Sequence, residues 1–280
     1  MVSASFPHSP KELRQLHDRG KYSDVERCCQ ENLRYSLSLH GENHPDSYRA
    51  VFHLSQSYYH MHDYAASELQ VRLAIELARQ IFGEKSQQVV GCLSNLGRLQ
   101  FRMGRDAEAE KTLNQATELI PQLVEGRDSV EAAVLVNRAK LMMGRGELSS
   151  PESLLLRALR MINREYGRGH PRQAMTLDHL SELYQRRGNT LAAERTIRKA
   201  LAIYRQATRE ESADDAFALM RLGTILSDQS RLSEAHACIQ NALEMLRRVC
   251  PAGHPNIISA ENAMSKIELK LRDSSNGPNN

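Results

Sequence analysis

The sequence has no tryptophan and only five phenylalanines, and its 15 glycines and 9 prolines are thinly scattered over 280 residues. Leu, Ala, Glu, Arg and Gln fill their place, which favours helix over strand and predicts an all-α chain. No apolar run approaches the roughly 20 residues needed to span a membrane, and the start, MVSASFPHSP, lacks the basic stretch and apolar centre of a secretory signal. A soluble, unexported, cytoplasmic chain is expected. The five cysteines form neither an even set nor a CxxC pair, so neither a disulfide framework nor a zinc ribbon is suggested, and reduced thiols are expected. A net charge of +3 does not by itself announce nucleic acid, which requires clustered basic residues. No GxSxG, P-loop, HExxH or dinucleotide fingerprint occurs, so neither an enzyme nor a cofactor is expected.

What the sequence does contain is a repeat. HGENHP at residues 40–45 returns as GRGHP at 167–171 and PAGHP at 251–255, and the prolines are separated by three and then two periods of 42 residues. A second landmark keeps the same register: Gly20, His62, Gly104, Gly146, Gly188 and Ser230 also lie 42 apart. A fixed period of this size identifies a stack of supersecondary units.

Columns counted from this turn give each unit its content. Twelve residues after it stand Asn32, Ala74, Ala116, Ala158, Ala200 and Ala242, and six after it Glu26, Glu68, Glu110, Glu152, Glu194 and His236. An acid in the first turns of a helix suits the macrodipole. Eight before the turn the column is mainly Leu, and seven before it stand Ser55, Gly97, Ala139, Ser181, Gly223 and Ser265. Apolar spacings of three and four define one helical face. Each unit is therefore two helices around a tight turn, with small residues letting them approach closely. Gly then ends the second helix in a left-handed cap, and His-Pro opens the next unit, Pro standing where its missing N–H costs nothing. Metal binding by His44, His170 and His254 is disfavoured, because the recurring joint supplies one His per unit and no second ligand recurs with it at helical spacing.

The stretches HLSQSYYHMHDYAASE, NLGRLQFRMGRDAEAE and HLSELYQRRGNTLAAE resemble the tetratricopeptide repeat. The 42-residue period, the G..HP joint and AAERTIRKALAIY resemble the kinesin light chain type in particular. The resemblance implies a right-handed α-solenoid of about six helix pairs and a C-terminal capping helix. Its expected divisions are a flexible start at 1–9, the array at 10–272 and a disordered tail at 273–280. No sustained heptad region occurs, so binding to a kinesin heavy chain is not implied.

In such a solenoid the first helices line a concave groove. Peptide-binding arrays commonly carry Asn nine residues before the turn, and Asn95 and Asn137 match. An Asn side chain offers an acceptor and a donor together and can hold a peptide bond without reading sequence. His53, His179 and Arg221 depart from that pattern in the same column; Arg98 and Lys140 lie one turn on, and Arg49 extends the wall. With Arg102 and Arg138 they make the centre of the groove basic and predict an acidic peptide as ligand.

The leading expectation is thus a protein-interaction adaptor. A regulator whose curvature changes when peptide binds is the alternative, and nucleic-acid binding is disfavoured by the scarcity of aromatic stacking residues. The third full unit is the least regular, with Arg138 for Leu, Gly144 and Gly146 flanking Arg145, and Pro151 opening a helix. It reads as a drifting repeat, or else as a hinge or specialised binding unit.

Overall fold

The computed structural model describes residues 7–18, 21–123, 127–207, 212–250 and 253–275. The expectations for residues 1–6, for Arg19 and Gly20, for Pro251 and Ala252, and for the tail at 276–280 lie outside the described residues. Among the described residues there is no strand and there are thirteen α-helices. They are α1 (Pro10–Asp18), α2 (Tyr22–His40), α3 (Pro45–His60), α4 (Tyr64–Phe82), α5 (Gln87–Arg102), α6 (Asp106–Leu119) and α7 (Arg127–Gly144). After these come α8 (Pro151–Tyr166), α9 (Pro171–Arg186), α10 (Thr190–Ala207), α11 (Ala213–Asp228), α12 (Leu232–Val249) and α13 (Pro255–Ser275). Odd-numbered helices are the first members of each repeat and even-numbered ones the second. The α13 helix extends three residues past the expected boundary at 272.

The turn column does what its residue types require. Gly104, Gly146 and Gly188 have φ of 74°, 81° and 75°, the left-handed region that glycine enters without a Cβ penalty. His62 and Ser230 take the same conformation, with φ of 62° and 61°, at the steric cost borne by an L side chain.

Helix entry adds something that the sequence did not disclose. The Nδ1 atoms of His44, His170 and His254 accept the backbone N–H of Asp46, Arg172 and Asn256 at 3.3, 3.2 and 3.2 Å, so the histidine itself is an N-cap. Residues four earlier stack on two of these rings, His40 on His44 at 4.0 Å and Tyr166 on His170 at 4.5 Å between centroids. One period after His44 and after His170, Ser86 and Ser212 fill the same column and cap α5 and α11 with their hydroxyls.

Each helical hairpin closes on its small residues. A Cβ on Gly97 would stand 2.7 Å from Leu113 Cγ, and one on Gly223 would stand 2.7 Å from Ile239 Cδ1. The alanines twelve after the turn, Ala74, Ala116, Ala158, Ala200 and Ala242, are completely buried.

The chain divides into two compact units, Met1–Ser150 and Pro151–Asn280. The division falls within the irregular third repeat. In the first unit the core gathers around Val51, Val71, Ile75, Leu93, Leu96 and Leu99. In the second it gathers around Ile197, Leu222, Ile225, Ile239 and Leu246. Burial of each such side chain contributes about 1.5–3 kcal/mol. Gly144 is also accounted for, since the Phe101 ring lies 2.5 Å from where its Cβ would be.

The glutamate column links successive repeats. Glu68 accepts from Arg105, Glu110 from Arg145, Glu152 from Arg187 and Tyr184, Glu194 from Arg231, and Glu26 from Tyr58. Every donor belongs to the following repeat. Burial pushes Glu68 and Glu194 up, but arginine hydrogen bonds outweigh it and hold both below the ordinary carboxylate range. Glu152 is held low by its bonds from Tyr184 and Arg187.

Candidate functional site

The first helices of the N-terminal unit stand side by side and are joined by side chains from one repeat to the next. Arg98 on α5 donates from Nη2 to Gln56 Oε1 on α3 at 2.9 Å, and its guanidinium lies 4.0 Å above the Tyr59 ring. Tyr48 on α3 meets the Cys92 thiol on α5 at 3.6 Å. Asn137 on α7 donates to both the carbonyl and the hydroxyl of Ser94 on α5, at 3.1 and 2.9 Å. These contacts make α3, α5 and α7 one continuous face.

The eight expected contact residues separate between the two units. Arg49, His53, Asn95, Arg98, Asn137 and Lys140 lie on the first-helix row of the N-terminal unit. His179 on α9 and Arg221 on α11 belong to the C-terminal unit. Within the first group the roles diverge sharply. Asn137 is 8% exposed and its amide nitrogen is engaged by Ser94, so it joins two helices. Asn95 is half-buried, and among the described residues its amide has no hydrogen-bond partner. Arg98 is held rigid by Gln56 and Tyr59, one helical turn from that open amide. Arg49 is exposed and bridges to Asp46 at 3.2 Å; His53 and Lys140 are half-buried.

Basic residues outnumber acidic ones on this face, with Arg49 already paired to Asp46. Helix α5 carries no Asp or Glu, while it and its neighbours contribute Arg49, Arg98, exposed Arg102 and Lys140. Arg138 does not add to this charge, contrary to expectation. It occupies the column that faces the second helix, and its Nη1 donates to Thr117 Oγ1 on α6 at 3.2 Å.

In the C-terminal unit the corresponding face is neutralised. Arg221 Nε donates to Asp178 Oδ1 at 2.6 Å, and Nη2 lies 3.2 Å from Asp178 Oδ2 and 3.3 Å from Glu182 Oε2. Burial pulls this guanidinium down, but the two carboxylates outweigh it and leave it above its ordinary value. A second arginine, Arg186, also pairs with Glu182, at 2.7 Å.

The partners missed in the sequence share one signal. Asn137 and Ser94, Arg221 and Asp178, and Lys270 and Ser227 are each 43 residues apart, and Arg98 and Gln56 are 42 apart. A residue on one first helix thus meets the position one period, or one period and one residue, earlier. Asn95 has Phe52 at that offset of 43, which offers no side-chain acceptor.

The comparisons with known proteins agree with this architecture. Residues 49–122 and 130–206 match one tetratricopeptide repeat family profile, and residues 218–256 match a second. No curated protein matches the sequence significantly. Among solved structures, BtubC (BKLC) from P. vanneervenii is 20% identical, with a TM-score of 0.57 over 83% of this chain and 90% of that one. A Rap protein complexed with Competence and Sporulation Factor is 13% identical, with a TM-score of 0.63 over 93% of this chain and 74% of that one. A putative kinesin light chain from Podosopora anserina, with nearly identical TPR-like repeats, is 14% identical over 71% of this chain and 95% of that one. Its TM-score is 0.46. At these identities the other two establish likeness of fold alone. With the family profile covering more than half of its length and the helical pairs in register, the chain belongs to the tetratricopeptide repeat family.

Proposed function

We propose that this protein is a kinesin light chain-like interaction adaptor of the cytoplasm that holds an extended, acidic segment of a partner protein against the α3–α5–α7 face. The open amide of Asn95 carries the reading. A half-buried Asn with donor and acceptor both unengaged can pair with the N–H and C=O of one peptide unit. Beside it, Arg98 is fixed by Gln56 and Tyr59, so little side-chain entropy is lost when it meets a carboxylate. The surplus of Arg and Lys over Asp and Glu on this face supplies the preference for acidic sequence. The fold itself is compatible with ligand binding, since the Rap protein that resembles it is solved in a complex. The proposal assigns the chain no chemical step.

The test is fluorescence anisotropy with extended peptides graded in acidity. Affinity is expected to rise with acidic content and fall with salt, and to drop at least tenfold in Arg98→Glu/Lys140→Glu protein of unchanged helicity. Equal affinity for neutral and acidic peptides would refute the charge preference.

A further inference from the structure

Outside that face, one cluster at the start of the chain combines imidazole, carboxylate and thiol. His8 precedes α1, Glu12 lies in its first turn, and Cys28 and Glu31 lie on α2. A nitrogen of His8, a carboxylate oxygen of Glu12 and Cys28 Sγ all lie within 4.8 Å of one another. Nδ1 of His8 is 3.1 Å from Glu12 Oε1, and Nε2 is 2.6 Å from Glu31 Oε2. The backbone of His8 is fixed as well: buried Asn32 accepts its N–H at 3.0 Å and donates to its carbonyl at 2.9 Å. Asn32 is the residue that interrupts the buried alanine column, and this double bond to His8 is its role.

We infer that His8, Glu12 and Cys28 form a binding site for a zinc-class divalent cation, with Glu31 orienting the imidazole. Mixed N, O and S donors suit Zn(II) or Co(II), while Mg(II) and Ca(II) require oxygen sets. A neutral imidazole, one carboxylate and one thiolate balance a 2+ charge. The Nε2–H···Glu31 contact supplies the outer carboxylate that fixes ring and tautomer in histidine metal sites, which leaves Nδ1 for the metal. Three protein donors leave a fourth position for water. Binding converts the Cys28 thiol to thiolate and releases its proton to water, and a protonated imidazole also releases the Nδ1 proton. Cys28 is 2% exposed, whereas the Glu12 side chain is 46% exposed, so the ion has a way in from the carboxylate side. Arg27, the nearby cation, pairs with Asp24 at 3.2 Å.

The test is titration of the full chain with Co(II), read by the thiolate-to-cobalt charge-transfer absorption. One equivalent should give the band, and Zn(II) should abolish it. The band should vanish in Cys28→Ser and His8→Ala, persist in Cys238→Ser, and need about tenfold to hundredfold more metal in Glu31→Gln. Because His8 stands outside the helices, its variant remains informative if Cys28→Ser is unstable. No charge-transfer band, or a band unchanged in His8→Ala, would overturn the inference.

Discussion

Asn95 and Asn137 are the same residue in the same column, and the structure gives them different work. Asn137 meets Ser94, and the loss of its amide would leave a buried contact between α5 and α7 unmade. Asn137→Ala should therefore cost about 1–2 kcal/mol of stability, measured by urea unfolding. Asn95→Ala should leave stability within about 0.5 kcal/mol. The sequence makes both visible as polar positions of a first helix. It does not separate them by column alone, because the difference lies 43 residues upstream, in Ser94 for one and Phe52 for the other. Arg221 presents the same problem with charge: as a letter it is a free base, but Asp178, 43 residues earlier, neutralises it.

Single helices and turns were largely legible, because their signals are local. The period, the left-handed turn and the close approach at Gly97 and Gly223 all follow from residue size and φ. Ser230 holds a left-handed φ of 61° without being glycine. Ser230→Gly is expected to stabilise the protein by about 0.5–1 kcal/mol, seen as a raised unfolding midpoint. The histidine cap was not legible, since His is an uncommon N-cap and the adjacent Pro already accounts for the helix start. Removing the Nδ1 acceptor in His170→Ala should cost about 1 kcal/mol, and His170→Asn should restore most of it. Equal stability of the two variants would show that the imidazole bond contributes nothing to helix entry.

At the scale of the whole molecule, repeats within each unit are joined by the glutamate column as well as by their cores. That column reads in the sequence as a helix-dipole preference. Its arginine partners lie one residue before or after the next turn, Arg145 and Arg187 in one case and Arg105 and Arg231 in the other, so no single column reveals them. The rungs at Glu68 and Glu152 are partly exposed and contribute under about 1 kcal/mol each. Their pH dependence has a fixed sign. Carboxylates held low in the folded state contribute fully above the unfolded value near 4.5, and that contribution is lost as pH falls through the folded value. The thermal midpoint should therefore fall as pH drops below the unfolded carboxylate value, and fall less steeply in Glu68→Gln/Glu152→Gln.

The proposed peptide face also belongs to this scale, because it exists only where α3, α5 and α7 are held in register. The most direct test is the affinity of the parent and of Asn95→Ala for one extended acidic peptide selected from the graded set, measured by calorimetry with Asn137 intact. At least a tenfold loss with an unchanged unfolding midpoint is expected. Equal affinity in the two proteins would contradict it and would remove Asn95 from the binding face.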